Sequence, residues 1–300
     1  MIVDLLVFIS SGQDRGGFFM ATNFERISGN DDIFNNKEYV SDSLIFNAIE
    51  SARNDEEYSI FSDHKNVIIM TSPKGPRVWL WTSSAIKDDT NKLIDISRFI
   101  RDQKIKGAEI YLKQDVSGNF SDLYALTTLE INYTVKDEFS LAVYTYNNEP
   151  VEGADNKEPD KGEKIIRIDK DNENDVKLLK DFYTKLKDEF RWHEKFDRKI
   201  NEYLNAELYA LVKDGEIIAD AVIGGGTDDY MRIKSVAVLA DKRRCGFGYK
   251  ICSYAVNRIK DRSLTPVLYT HIGNVSAVAL WSKVGFRMKD KLYLLKIENN

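Results

Sequence analysis

Between Arg232 and Tyr249 the chain reads RIKSVAVLADKRRCGFGY, and this stretch limits the possible folds more than any other. An apolar, β-branched run (Ile233, Val236, Val238) reads as a strand. Arg243, Gly246 and Gly248 follow in the spacing R-x-x-G-x-G. A helical pattern then starts at once, with Ile251, Tyr254, Ala255 and Ile259 on one face. The two glycines let the backbone turn tightly with no Cβ in the way. The N–H groups of Arg244, Cys245, Gly246, Phe247, Gly248 and Tyr249 can then converge on an anion such as a pyrophosphate, above the positive end of the next helix. Lys242, Arg243 and Arg244 add positive charge. An ordinary basic turn between a strand and a helix shares this spacing, so the loop alone does not decide. The P-loop pattern G-x-x-x-x-G-K-[ST] is absent, as are the third glycine and later acidic residue of the dinucleotide fingerprint.

The stretch downstream narrows the reading. Residues 265–300 run TPVLYTHIGNVSAVALWSKVGFRMKDKLYLLKIENN. A strand over Val267 to Thr270 leads to Asn274, a short helix with Ala277, Leu280 and Trp281, then Lys283, Gly285, Phe286 and a final strand. With the glycine loop this resembles the GNAT superfamily of acyl-CoA-dependent N-acetyltransferases, over about residues 163–297. R-x-x-G-x-G from Arg243 is similar to that family's phosphate loop. The run N-x-x-A-x-x-L-W-x-K-x-G-F from Asn274 is similar to its second motif, N-x-x-A-x-x-x-Y-x-K-x-G-F.

The resemblance implies an α/β fold with a mixed sheet and acetyl-CoA (coenzyme A) as cofactor. It implies that the strand ending at Val238 splays from its neighbour, so that Val236, Ala237 and Val238 offer a free edge to the pantetheine arm. Attack by a neutral amine on the thioester would follow, helped by positioning and by backbone polarisation of the carbonyl. Two departures stand out. Trp281 occupies the place of a tyrosine that can protonate the leaving thiolate, with Tyr249, Tyr269 and Ser282 as possible substitutes. Arg232 occupies the place of a glutamate base, with Asp228, Asp229, His193 or His271 as alternatives. His271 is also readable as a hydrogen-bonded strand-end residue and His193 as a capping or surface residue. Asn274 is readable as a pantetheine ligand or as a helix cap, and the two are compatible.

A formal net charge of −5 argues against a nonspecific nucleic-acid binder. Cys245 and Cys252 are the only cysteines, so neither a disulfide scaffold nor a cysteine metal site is indicated, which suits a reducing cytoplasm. MIVDLLVF at the start is too short to span a bilayer and lacks a basic flank, so neither a signal peptide nor a membrane anchor is expected. Residues 1–20 read as an extension ahead of the first domain, with Met1 and Met20 both open as the start.

Residues 21–146 read as a first domain. Its pattern runs through a helix (Ser41 to Ala52), a hairpin (Tyr58 to Phe61, Asn66 to Thr71) and a strand (Arg77 to Trp81). A helix (Asn91 to Gln103), a strand (Glu109 to Lys113), a helix (Asp122 to Glu130) and a strand (Phe139 to Tyr146) follow. Residues 147–164 carry charge, proline and glycine and read as a linker. The second domain (165–300) opens with a strand at Ile165 to Ile168 and helices over Asn172 to Lys187 and His193 to Leu204. A hairpin turning at Asp214-Gly215 joins Leu208–Lys213 to Glu216–Ile223. The halves thus repeat one order of elements, with Trp79–Trp81 matching Val236–Val238. The first half's loop, TSSAIKDDTN, has no glycine and carries Asp88 and Asp89, so a duplicated copy here would have lost its cofactor site. Trp79 and Trp81 share a strand face and read as core, or as an apolar wall of an inter-domain cleft.

The expected function is transfer of an acetyl group to a primary amine on a small molecule or peptide, by a monomer or homodimer, with no nucleic-acid or membrane partner. Two alternatives remain: a noncatalytic acyl-CoA sensor or interaction module, and a tandem-domain aminoacyl-transferase using a charged tRNA.

Overall fold

The computed structural model describes residues 24–72, 75–127, 133–147 and 162–299. Residues 1–20, Met20 with them, and most of the linker lie outside the described residues. The first half runs β1 (Glu25–Arg26), α1 (Lys37–Asp42), α2 (Asn47–Ala52), β2 (Ser59–Ser62), β3 (Val67–Thr71), β4 (Arg77–Thr82), α3 (Thr90–Asp102), β5 (Glu109–Lys113), α4 (Gln114–Thr127) and β6 (Tyr133–Tyr146). The second runs β7 (Glu163–Arg167), α5 (Glu173–Leu186), α6 (Phe196–Leu204), β8 (Glu207–Lys213), β9 (Glu216–Gly226), β10 (Tyr230–Val238), α7 (Phe247–Lys260), β11 (Thr265–His271), α8 (Val275–Val284) and β12 (Phe286–Asn299). The order of elements repeats, as the sequence pattern predicts.

The twelve strands among the described residues form one mixed sheet in the order β1-β2-β3-β4-β5-β12-β6-β11-β10-β9-β8-β7. The halves match in their pairing too. β4 and β5 pair in parallel only from Arg77↔Glu109 to Trp79↔Tyr111, and β10 and β11 only from Tyr230↔Thr265 to Arg232↔Val267. Beyond those positions each pair parts. The last strand of each half then crosses over: β6 lies antiparallel against β11, and β12 against β5. β6 and β12 pair with each other from Phe286↔Tyr146 to Asn299↔Tyr133. Each half's sheet is therefore completed by a strand of the other.

Strand alternation sorts the first half's core onto two faces. Val67, Ile69, Val78 and Leu80 pack with Phe99 and Phe120 under α3 and α4, whereas Ile68, Met70, Trp79 and Trp81 pack with Tyr39 and Phe46 of α1 and α2. Trp79 and Trp81 are thus core residues, and Trp81 donates its indole N–H to Asp42. In the second half Phe182, Ile200 and Ile251 are buried with residues of β8 and β9, each such large apolar side chain contributing about 1.5–3 kcal/mol.

Several boundaries differ from the sequence expectation. The helix expected over Ser41 to Ala52 is broken into α1 and α2, and the break is supported from the other half. Tyr230 donates its hydroxyl to the Ser43 carbonyl and Tyr269 to that of Ile45. α4 begins at Gln114 instead of Asp122, because buried Val116, Phe120, Leu123 and Tyr124 already form an i, i+4, i+7, i+8 stripe. His193–Lys195 is a 3-10 turn ahead of α6, and β6 begins at Tyr133 because its first part serves the first half's sheet.

β7 begins at Glu163, two residues before the expected strand. Its carboxylate is 1% exposed, held by Lys250 at 2.7 Å and Lys213 at 3.3 Å. Removing one partner of a buried ion cluster leaves uncompensated charge, so Glu163→Ala is expected to lower stability by about 3 kcal/mol. Urea unfolding checks this, and an unchanged midpoint would show the cluster to be solvated.

Candidate active site

The site is assembled where β10 and β11 part. Because these strands are parallel, Val238 and His271 lie at the same end of the sheet, and the glycine loop and Asn274 follow them there. α7 begins at the mouth of this gap. A Cβ on Gly248 would lie 3.4 Å from Val238 Cγ2 and 3.5 Å from Leu280 Cδ2, ordinary van der Waals distances, so the start of α7 packs directly over β10 and Leu280.

The loop turns through Arg244 (φ 63°) and Gly246 (φ 85°), both in the left-handed region. Among the described residues no acceptor takes the N–H of Arg244, Cys245, Gly246, Phe247, Gly248 or Tyr249. The first intrahelical bond at this end runs from the Lys250 N–H to the Gly246 carbonyl, at 3.0 Å. Six unengaged donors at a helix start, with no side-chain cap, form a cradle for an anion. A Cβ built on Gly246 meets nothing within 4 Å, so the cradle opens outward.

The three basic side chains that the sequence places here do not act alike. Arg243 is a strut: its guanidinium holds both Glu189 oxygens (2.7 and 2.6 Å) and donates from Nε to the Val238 carbonyl at 3.2 Å. Lys242 pairs with Asp241 at 3.0 Å. Arg244 is exposed and makes no ion pair among the described residues. Cys245 is exposed, and Phe247 is buried beneath the ammonium groups of Lys213 and Lys250. Val236 and Val238 are half-buried and Ala237 buried, along the part of β10 that no longer pairs with β11.

Asn274 caps α8, its Oδ1 accepting the Ala277 N–H at 3.2 Å. Ala277 is half-buried. Trp281 is buried against Phe286, and its Nε1–H has no partner among the described residues. An unmet buried donor costs about 1–3 kcal/mol. His271 and Ser282 are exposed, and Tyr249 is half-buried with the Lys283 ammonium 5.3 Å above its ring.

Two of the suggested proton-transfer residues are corrected by the tertiary structure. The Tyr269 hydroxyl donates to the Ile45 carbonyl at 2.9 Å and accepts from the Ala48 N–H at 3.3 Å, and burial pushes its pKa up. It staples the two halves together and has no proton to offer. Asp229 lies before β10, where its carbonyl accepts the Thr265 N–H. That is the closed end of the gap, about 30 Å along the strand from the loop.

Sequence reasoning overlooked Asp220, in the middle of apolar β9 opposite Ala237. Its carboxyl is fully buried, accepts the Tyr183 hydroxyl at 2.6 Å and leaves Oδ1 without a partner. Burial pushes its pKa up to about 7, against the pull of Tyr183 and the Ala237 N–H. One acidic residue inside the run IIADAVI was the available signal. The triple glycine 224–226 at the end of the same strand was the other.

The equivalent loop of the first half is filled from within. Ser84 gives its N–H and hydroxyl to the Glu38 carboxylate (2.7 and 2.9 Å), which holds the pKa of Glu38 below the usual range. Asp89 caps α3 through the Lys92 N–H. A carboxylate thus sits where an anionic ligand would need free amides. Among the described residues there is no group of three metal-ligating side chains, and no helix is long and apolar enough to cross a membrane.

Comparison with known proteins agrees with this geometry. The sequence model of the acetyltransferase (GNAT) family matches residues 176–286. No curated protein matches the chain. Among solved structures, a GNAT-family acetyltransferase from Colwellia psychrerythraea is 15% identical with a TM-score of 0.53, covering 92% of this chain and 99% of its own. A Drosophila protein is 12% identical at a TM-score of 0.63, with the same coverage. A tandem GNAT protein from the clavulanic acid biosynthesis pathway is 10% identical at 0.55, covering 92% of this chain and 98% of its own. At such identities the likeness is one of fold, and it extends through both halves. Taken with the splayed strands and the glycine loop, the match makes residues 176–286 a domain of the acetyltransferase (GNAT) family.

Proposed function

We propose that this chain is an N-acetyltransferase that moves an acetyl group from acetyl-CoA to a primary amine of a small molecule or peptide. The observation that carries the reading is the set of unengaged N–H groups from Arg244 to Tyr249 at the open end of the gap between β10 and β11. The diphosphate of coenzyme A would rest on those amides, and its pantetheine arm would run as an added strand along the part of β10 that has left β11, from Val238, whose carbonyl already holds Arg243, to Val236. This aims the thioester at the middle of the sheet. There the amine nitrogen attacks the carbonyl carbon, the C–N bond forms, and the C–S bond breaks as the thiolate leaves.

The amine must lose its proton to attack. His271 is the imidazole at the open end of the gap, and a water chain is the other route. The Trp281 N–H supplies a hydrogen bond without giving up its proton, so the thiolate would be protonated by Tyr249, Ser282 or solvent. Two reduced cysteines fit a cytoplasmic setting.

The test is release of free thiol from acetyl-CoA by the purified chain against a panel of amines, with coenzyme A affinity measured by calorimetry. Turnover with at least one amine is expected. Tight coenzyme A binding without turnover on any amine would favour an acyl-CoA sensor, and absence of coenzyme A binding would remove the reading altogether.

A further inference from the structure

Side chains from both halves converge over the central strands. β4 and β11 are four places apart in the sheet, about 19 Å if it were flat. Yet the rings of Trp79 and Tyr269 are 5.7 Å apart, so the sheet curls. Trp79 stacks on Tyr111 at 4.7 Å, and on the other side the Arg232 guanidinium lies 5.5 Å from the Tyr269 ring. An aromatic floor therefore ends on a cation.

Among the described residues no carboxylate pairs with that cation. Arg232 is half-buried, its neighbours are Tyr269, Tyr58 and Arg77, and burial pulls its pKa down. Arg77 adds a second positive charge, only loosely met by Glu109 at 3.9 Å. Lys234 comes next, lowered in pKa by burial and by Arg232. The acid that acts on it, Glu202, is already bonded to Lys199 at 2.6 Å.

The backbone makes room for this pair. Pairing between β9 and β10 is irregular on both sides of Ile233, which frees Lys234 from the ladder. Gly225 sits at φ 68°, and a Cβ there would lie 3.0 Å from Arg232 Nη2 and 3.5 Å from Lys234 Cε. The space that a side chain would fill holds two cations instead. Arg232 is half-buried and Lys234 exposed, so the guanidinium carries the desolvation cost and the two like charges repel; a bound anion would relieve both.

Arg232 is also the last residue of β10 paired with β11, so it marks the apex of the gap along which the thioester would lie. We infer that Arg232 and Lys234 bind a carboxylate on the acceptor, and that the acceptor is an amino acid or a close relative of one instead of a bare amine. The inference rests on the transferase reading above. A planar guanidinium at the apex can take a carboxylate through two parallel hydrogen bonds, leaving the amino group directed toward the middle of the gap.

Calorimetric titration of the full chain, without coenzyme A, tests this. The probes are glycine, β-alanine and phenylalanine, each against its decarboxylated amine, with O-phosphoethanolamine as a further arm. At least one acid is expected to bind about tenfold or more tightly than its matched amine, the size of a charge-assisted contact. Arg232→Gln, and separately Lys234→Gln, should remove most of that margin while leaving coenzyme A affinity unchanged. The inference is overturned if amines bind as well as acids, if no acid binds, if both variants keep the margin, or if O-phosphoethanolamine alone binds. A chain that binds coenzyme A but prefers bare amines loses this inference only. One that binds acids and not coenzyme A loses the transferase reading.

Discussion

Replacing Gly246 by aspartate is expected to weaken coenzyme A binding by about 100-fold while leaving the chain folded. The two effects separate because of where the residue sits. Its φ of 85° is left-handed, and aspartate is among the few side chains that tolerate that region, at a cost of about 1–2 kcal/mol. A Cβ there meets no protein atom within 4 Å beyond its chain neighbours. It does meet the ligand. A carboxylate about 5 Å from a phosphate, at an effective dielectric near 20, adds roughly 3 kcal/mol of repulsion. Calorimetry with coenzyme A reads the affinity, and a thermal melt reads the fold. Gly246→Ala separates conformation from charge and should lose far less. A Kd for the aspartate variant within about threefold of wild type, less than 1 kcal/mol, would mean the diphosphate does not rest on this loop.

The second large effect concerns Asp220 and pH. A buried carboxyl with a pKa near 7 keeps its proton in the folded chain when the unfolded chain has already lost it. The folded state then binds more protons between about pH 4 and 7, and stability must fall as pH rises through that window and level off above it. The cause is physical: once ionised, the carboxylate keeps the Tyr183 hydroxyl but has an unmet Oδ1 in an apolar layer. Asp220→Asn still accepts that hydroxyl and does not ionise. Wild type is therefore expected to lose on the order of 3 kcal/mol relative to the variant between pH 4.5 and 8. Urea midpoints at both pH values for both proteins measure it. Carboxylates with lowered pKa, such as Asp63 and Glu207, are ionised across this window and drop out of the difference. Parallel pH profiles would show that Asp220 is hydrated.

How much could be read without coordinates depended on how local the information was. The hairpin through Asp214 and Gly215 was legible because its turn needs positive φ at both residues, and both have it, at 53° and 80°. The loop from Arg243 to Tyr249 was legible for the same reason, since glycine spacing and helical period lie within one short stretch. The first turns of α4 are hidden in the sequence because Gly118, exposed between buried Val116 and Phe120, reads as a helix breaker. Glu163 looked like linker because a charge next to glycine reads as solvated until two distant lysines are placed around it.

The proton-transfer candidates divide along the same line. Tyr269 was a reasonable choice until the backbone of residues 45 and 48 was found on its hydroxyl, more than two hundred positions away in the chain. Asp229 is close in sequence to the strand that matters and at its wrong end, which only strand direction can tell. Arg232 was visible as a departure from the family pattern. Its meaning came from neighbours that sequence does not order: Gly225 on the adjacent strand, Lys234 beside it and Tyr269 across the gap.

By itself, then, the amino-acid order determined the succession of elements, the repeat of that succession and the amide cradle, because periodicity and glycine conformation act over a few residues. Tertiary structure alone decided that each half borrows the other's last strand, and that the sheet curls until cations and aromatic rings from distant segments meet. Strand partnership and desolvation arise between residues far apart in the chain, and no local pattern records them.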